Sequence, residues 1–177
     1  MRIHLEKNNS ENLILFFCGW GMDENPFFIL NNTSDVLYVY DYTTPEFCGF
    51  DFSAYKKVDL LAFSYGVYAS SIANLSNVKL NSRTAINGTL IPVDDRLGVP
   101  IRERLFGGEK AKEHFEIFEN HLPKRNAQSC TQELMGMKRY VPQFPVPSIK
   151  FDKVYIAKYD RCVPTRNQQN FWSNVHN

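Results

Sequence analysis

Short apolar runs, each closed by a polar or turn-forming residue, mark out the chain. Leu13 to Phe17, Val36 to Tyr40, Val58 to Ala62, Thr84 to Ile86 and Val154 to Ala157 are rich in β-branched and aromatic residues, and each predicts a strand. Their apolar character is mostly continuous rather than alternating, which predicts strands covered on both faces, as in a parallel sheet between helices. From Tyr65 to Leu75 the spacing becomes helical, and after Pro164 a further helix is predicted to begin at Asn167 and to include Trp172. Strand and helix alternate, which is the α/β layout.

The polar positions gather where the apolar runs stop. Cys18-Gly19-Trp20-Gly21 follows the first predicted strand, Asp41 the second, Ser64 the third, Asn87-Gly88-Thr89 the fourth, and Asp160 the last. In an open α/β sheet the carboxyl ends of parallel strands form the ligand crevice, so these residues are expected at one rim. Between Asn87 and Val154 the chain is far longer than one crossover helix requires. It holds a charged helical stretch near Glu109 to Asn120 and a return containing Pro142, Pro145 and Pro147. We read about 94–147 as a lid inserted into a single domain whose core is 1–93 and 148–177.

The candidate chemistry centres on Ala62-Phe63-Ser64-Tyr65-Gly66. A serine raised on a tight strand-to-helix turn needs small residues two before and two after it, where neighbouring backbones crowd, and Ala62 and Gly66 meet that need. Ser64 is thus a candidate nucleophile. The backbone N–H groups of Tyr65 and Trp20 are candidate oxyanion donors, with Gly19 and Gly21 letting the Trp20 loop turn back toward the serine. Asp160 follows the serine in chain order and is the candidate acid, with Asp41 as the alternative. The base is not evident among His4, His114, His121 and His176. His176 ends the last predicted helix with no strand to return it to the crevice, so the base is expected beyond Asn177, in a longer chain.

Composition narrows the possibilities. The 177 residues are 44% hydrophobic and 14% aromatic with a net charge of +1, which suits one globular domain and supplies no strong field for nucleic acid or an anionic membrane. The chain has no apolar run of membrane-spanning length and no secretory leader pattern, so a cytoplasmic location is expected. Cys18, Cys48, Cys130 and Cys162 form no close pair and read as reduced thiols. Glu113, His114, Glu116, Glu119 and His121 read as a solvated helix face rather than a metal site. With neither a phosphate-binding P-loop nor a dinucleotide fingerprint, no metal or cofactor is expected.

Taken together, Phe17-Cys18-Gly19-Trp20-Gly21, Tyr40-Asp41-Tyr42, Ala62-Phe63-Ser64-Tyr65-Gly66-Val67, Ala85-Ile86-Asn87-Gly88-Thr89 and Asp160-Arg161-Cys162-Val163-Pro164 with Asn167-Gln168 resemble a compact bacterial α/β-hydrolase family. Its members are carboxylesterases acting on pimeloyl-acyl-carrier-protein methyl ester in biotin synthesis, and the resemblance runs from about Leu13 to Trp172. It implies an α/β-hydrolase-like fold with a mostly parallel sheet, helices on both faces and a helical lid. It further implies a serine esterase in which Ser64 attacks a methyl ester, Trp20 and Tyr65 cradle the oxyanion and line an acyl channel, and Asp160 orients a histidine. The partner would be an acidic acyl-carrier protein bearing a methyl-capped acyl chain, with Arg102, Arg104, Lys110, Lys112, Lys124, Arg125, Lys138 and Arg139 as candidate docking groups. The alternatives are an esterase or thioesterase for another acyl substrate, or a non-catalytic acyl or carrier-protein binding module if no histidine follows.

Overall fold

The computed structural model describes residues 1–30, 33–47, 49–100, 127–144, 149–160 and 162–175. Their six strands are β1 (Arg2–Glu6), β2 (Asn12–Phe17), β3 (Asp35–Tyr40), β4 (Lys57–Phe63), β5 (Leu80–Ile86) and β6 (Lys153–Tyr155). The helices are α1 (Tyr65–Ile72), α2 (Ala127–Tyr140) and α3 (Thr165–Val175), with a 3₁₀ turn over Asn25–Leu30. One sheet holds all six strands in the order β1-β3-β2-β4-β5-β6. The pairs from β3 through β6 are parallel, and only β1 is antiparallel to its neighbour.

All five predicted strands are present, and the differences have local causes. β1 was not predicted, because Arg2-Ile3-His4-Leu5-Glu6 is short and alternates with charged residues. It becomes a strand by pairing Ile3 with Val39 and Leu5 with Leu37 of β3. β5 begins at Leu80 rather than Thr84, since its polar first half is held from the neighbouring strand: Asn81 and Ser82 donate to Asp59 of β4 at 2.7 and 2.6 Å. α1 stops at Ile72, short of the expected Leu75. Ala73 turns to extended backbone, and the Asn74 side chain accepts from both the N–H and the hydroxyl of Ser76. β6 ends at Tyr155, and α3 starts two residues before the predicted Asn167.

The strand order places the rim. The chain runs from β2 outward to β3, then crosses back over β2 to β4 and continues through β5 to β6, so its direction reverses between β2 and β4. A parallel sheet opens a crevice at such a switch point, outside the carboxyl ends of the strands. The core supports this rim from below. Leu13, Leu15 and Phe17 of β2, Leu37 and Val39 of β3, and Val58, Leu60 and Ala62 of β4 bury alternate side chains in one cluster with Val67, Tyr68 and Ala69 of α1. The intervening positions Phe16, Val36 and Tyr38 point the other way, into a smaller cluster with Cys18, Met22 and Phe27.

Among the described residues, no helix is long and apolar enough to cross a membrane. Cys18 and Cys130 are buried and Cys162 is half-buried, and no group of metal-binding side chains occurs among the described residues. The expected helical stretch near Glu109 to Asn120 lies outside the described residues, as do Cys48, His114, His121, His176 and the basic positions from Arg102 to Arg125.

Candidate active site

Ser64 follows β4 directly and stands one residue before α1, with φ 55° and ψ −123°. Those angles lie in a region that residues with a Cβ rarely occupy, at a cost of about 1–3 kcal/mol. Serine at a helix start usually caps it, yet the Ser64 hydroxyl makes no capping bond. The turn is held from both sides. The Ser64 N–H donates to the Ile86 carbonyl at 2.8 Å, and the Val67 N–H returns to the Ser64 carbonyl at 3.1 Å. Two glycines leave room for it. A Cβ on Gly66 would collide with the Phe17 carbonyl oxygen and come within 2.6 Å of that of Cys18, and one on Gly88 would meet the Ser64 carbonyl and Val67 Cγ2.

The Gly66 contact brings the start of α1 against the segment leaving β2, whose Phe17 pairs with Ala62. Trp20 is therefore one strand from Ser64. Its indole Nε1–H donates to the Cys130 carbonyl of α2 at 3.2 Å, and Gly21 beside it has φ 71°. Tyr65 contributes the first N–H of α1, at the end where an α-helix leaves donors without intrahelical acceptors. The Tyr65 ring is buried, packs 5.1 Å from Tyr42, and shares a 2.9 Å hydrogen bond with the Tyr140 hydroxyl. Burial, then the neighbouring Tyr140, holds the Tyr65 phenol far above its ordinary range, and burial likewise raises Tyr140. Both stay neutral. Tyr68, 5.6 Å from Tyr65, keeps its hydroxyl buried with no hydrogen-bond partner among the described residues, and burial pushes it up to about 12.

On the other side of Ser64 the rim is stitched across two strands. Asn87, at φ 50° after β5, donates its N–H to Tyr155 and accepts from the Ala157 N–H through its side chain at 2.8 Å. Asp160 follows in a loop. Its Oδ1 accepts from the Cys162 and Val163 N–H groups at 2.8 and 3.1 Å, and its Oδ2 accepts from Gln168 Nε2 at 2.9 Å. The alternative acid, Asp41, turns elsewhere: Arg2 Nε lies 3.1 Å from its Oδ2, and the Thr43 hydroxyl donates to its Oδ1 at 2.6 Å. It stands at the end of β3, two strands from β4 in the direction away from Asp160. His4, the one histidine among the described residues, lies on the far edge strand, 3.9 Å from Glu24.

The model of a family described as Pimeloyl-ACP methyl esterase BioG matches residues 1–113. The chain belongs to the BioG family. The crystal structure of selenomethionine BioG from Haemophilus influenzae superimposes with a TM-score of 0.79 at 27% identity, covering 99% of this chain and 89% of that one. The shared architecture is the mostly parallel, helix-flanked sheet of an α/β-hydrolase-like fold. An uncharacterized protein of Haemophilus influenzae is 31% identical across 92% of this chain and 83% of its own length. A Bacteroides fragilis protein, Malonyl-[acyl-carrier protein] O-methyltransferase, is 32% identical over 93% of this chain, which spans only 37% of that relative.

Two side chains at this BioG rim were not singled out from the sequence. Gln168, wholly buried, stands in the sequence only as part of the Asn167-Gln168 block, although it holds Asp160 and also donates to the Val163 carbonyl at 2.8 Å. Glu133 of α2, also wholly buried, accepts from the N–H groups of Gly21 and Tyr42 at 3.1 and 2.9 Å. A usable signal existed for the second. Cys130, Met137 and Tyr140 form a helical stripe with Glu133 in its middle, and a charge within an apolar stripe marks a buried partner. Lys138 and Arg139, the two expected docking residues that are described, are exposed on the last turn of α2.

Proposed function

We propose that the protein is a serine carboxylesterase that hydrolyses the methyl ester of a pimeloyl chain carried on acyl-carrier protein. The observation that carries this reading is the Ser64 turn, strained and uncapped at the β4–α1 junction, with the Trp20 loop one strand away and Asp160 two strands away on the other side. Ser64 Oγ attacks the ester carbonyl and gives its proton to a histidine. The Trp20 and Tyr65 N–H groups receive the developing oxyanion, and the histidine passes the proton to the departing methoxide, releasing methanol. Water, deprotonated by the same base, then cleaves the acyl-serine and leaves a free carboxylate on the chain.

Asp160 orients that histidine. Two interstrand spacings separate the ends of β4 and β6, about 10 Å, which one imidazole bonded at both nitrogens spans together with the side chains it meets. His4 is on the wrong edge, so in this reading the base comes from outside the described residues. The substrate assignment rests on the family description and on the relatives. A methyltransferase acting on a malonyl carboxylate creates a methyl ester, and a chain resembling part of such a protein suits its later removal. Lys138 and Arg139 would face the acidic carrier protein, together with the basic residues between Arg102 and Arg125.

The test is hydrolysis of methyl-capped pimeloyl carrier protein alongside small aryl esters. The protein is expected to favour the carrier-bound substrate and to be labelled at Ser64 by a serine-directed phosphonate. Ser64→Ala is expected to lower kcat at least 10³-fold, and undiminished turnover in that variant would remove the serine from the mechanism. Equal kcat/KM on both substrates would instead support a general esterase.

A further inference from the structure

The Trp20 loop has an anchor outside the strands that flank it. Glu133 is a fully buried carboxylate on α2, and its two oxygens are divided between two loops. Oε2 accepts from the Gly21 N–H, directly after Trp20, and Oε1 accepts from the Tyr42 N–H in the segment that follows β3. α2 reaches the same loop twice more, through the Cys130 carbonyl on the Trp20 indole and through Cys130 Sγ, which donates to the Gly21 carbonyl at 3.8 Å. It seats on the Tyr42 segment as well. Gly136 packs so closely against the Thr43 backbone that a Cβ there would collide with the Thr43 carbonyl. Tyr42 completes the tie by donating its hydroxyl to the Cys18 carbonyl at 2.6 Å.

A buried carboxylate is costly unless its oxygens are hydrogen-bonded, and an apolar residue in its place in the Cys130–Met137–Tyr140 stripe would take this acceptor from the Gly21 and Tyr42 N–H groups. What a carboxylate offers is two acceptors and no donor on one rigid plane, matched to two backbone N–H groups from different loops. We infer that Glu133 is a positioning residue for the oxyanion site: by holding the Gly21 N–H, it fixes the Trp20–Gly21 peptide plane, which adjoins at Trp20 Cα the Gly19–Trp20 plane whose N–H is aimed at the oxyanion. The inference rests on the esterase reading. It assigns to α2 a part in the oxyanion site, since displacement of this helix would disturb the donor geometry.

Glu133→Gln tests it with almost no change in shape. The amide supplies one acceptor, and its NH₂ group must face one of the two N–H donors, so one loop loses its hold. Loss of a whole oxyanion donor costs about 10²–10³ in kcat, and a misaimed one is expected to cost at least about tenfold with KM changed less than threefold. The inhibition constant of a trifluoromethyl ketone, which forms a tetrahedral adduct, should rise by the factor that kcat/KM falls, while affinity for the product acid stays level. Amide exchange at Gly21 and Tyr42 should quicken. Glu133→Asp, charged but one methylene too short to bridge both loops, is expected to show the same split. It serves as the second variant, at a temperature where circular dichroism matches the wild type. A folded Glu133→Gln or Glu133→Asp protein with wild-type kcat and unaltered ketone inhibition would overturn the inference. A wild-type protein that cleaves no ester and takes no phosphonate would overturn the esterase reading itself.

Discussion

At Ser64 the backbone holds an unfavourable conformation because its neighbours leave no better one. Ile86 binds its N–H, Val67 binds its carbonyl, and Gly88 lies directly beneath that carbonyl. Gly88→Ala should therefore act through the elbow. The added methyl meets Ser64 and Val67 rather than open space, and we expect a loss of about 1–3 kcal/mol in urea unfolding together with slower phosphonate labelling of Ser64. Labelling at the wild-type rate in a destabilised Gly88→Ala would uncouple the glycine from the nucleophile. The serine and its small neighbours at 62 and 66 could be read from local spacing, since a strand-to-helix turn is a local event. Gly88 was legible only as a residue of a strand-end turn, because its contact spans 24 positions and exists only once β4 and β5 pair.

Among the elements, α2 and α3 fix the rim from opposite sides. α3 anchors to the sheet through Trp172, whose Nε1–H donates to the Gly88 carbonyl at 2.9 Å and whose ring meets Phe151 and Phe171 edge-on at 5.8 and 4.9 Å. It also holds the start of the long excursion, since Asn167 Nδ2 donates to the Gly98 carbonyl at 2.8 Å. Trp172→Phe keeps most of the buried ring but leaves the Gly88 carbonyl without this donor. A loss of about 1–2 kcal/mol is expected by denaturant titration, against about 3–5 kcal/mol for Trp172→Ala. If Trp172→Phe unfolds at the wild-type denaturant midpoint, the hydrogen bond contributes nothing. α3 was partly readable from its apolar spacing after Pro164. α2 was not predicted, because a glutamate and a glycine interrupt its buried stripe and only the loops they touch explain them.

For the molecule as a whole, the two ends of the sheet carry different loads. The strained and polar residues Asp41, Ser64 and Asn87 stand at the carboxyl ends of successive parallel strands, whereas the buried charge at the opposite end is fully engaged. Asp35, at the start of β3, accepts from the N–H groups of Asn8 and Ser10 and from the Tyr55 hydroxyl. Burial alone would raise its pKa, but those hydrogen bonds outweigh it and hold the carboxyl below the usual value of 3.8. Asp59 is likewise lowered against burial by Lys57, Ser82 and Asn81. A carboxyl lowered on folding adds stability above its unfolded pKa and loses it as the pH falls through its folded pKa. Unfolding free energy should therefore decline as the pH drops below about 4, and Asp35→Asn should flatten that decline while lowering stability at pH 7. An acid limb as steep in Asp35→Asn as in the wild type would exclude Asp35 as a source.

The sequence by itself determined the α/β class, the five principal strands, and the residues at their carboxyl ends, because apolar runs and the breakers that close them are local properties of the chain. It also carried the family, since the residue blocks around Trp20, Ser64, Asn87 and Asp160 occur in a fixed order. The tertiary structure alone decided the order of strands and hence the switch point between β2 and β4 that sets the Trp20 loop beside Ser64. It also decided the edge strand β1, which is a strand only through its pairing with β3. Glu133 and Gln168 belong to the same class. Their importance lies in backbone and carboxylate partners brought to them by folding, and nothing in the neighbouring sequence names a partner that lies 112 or 8 positions away.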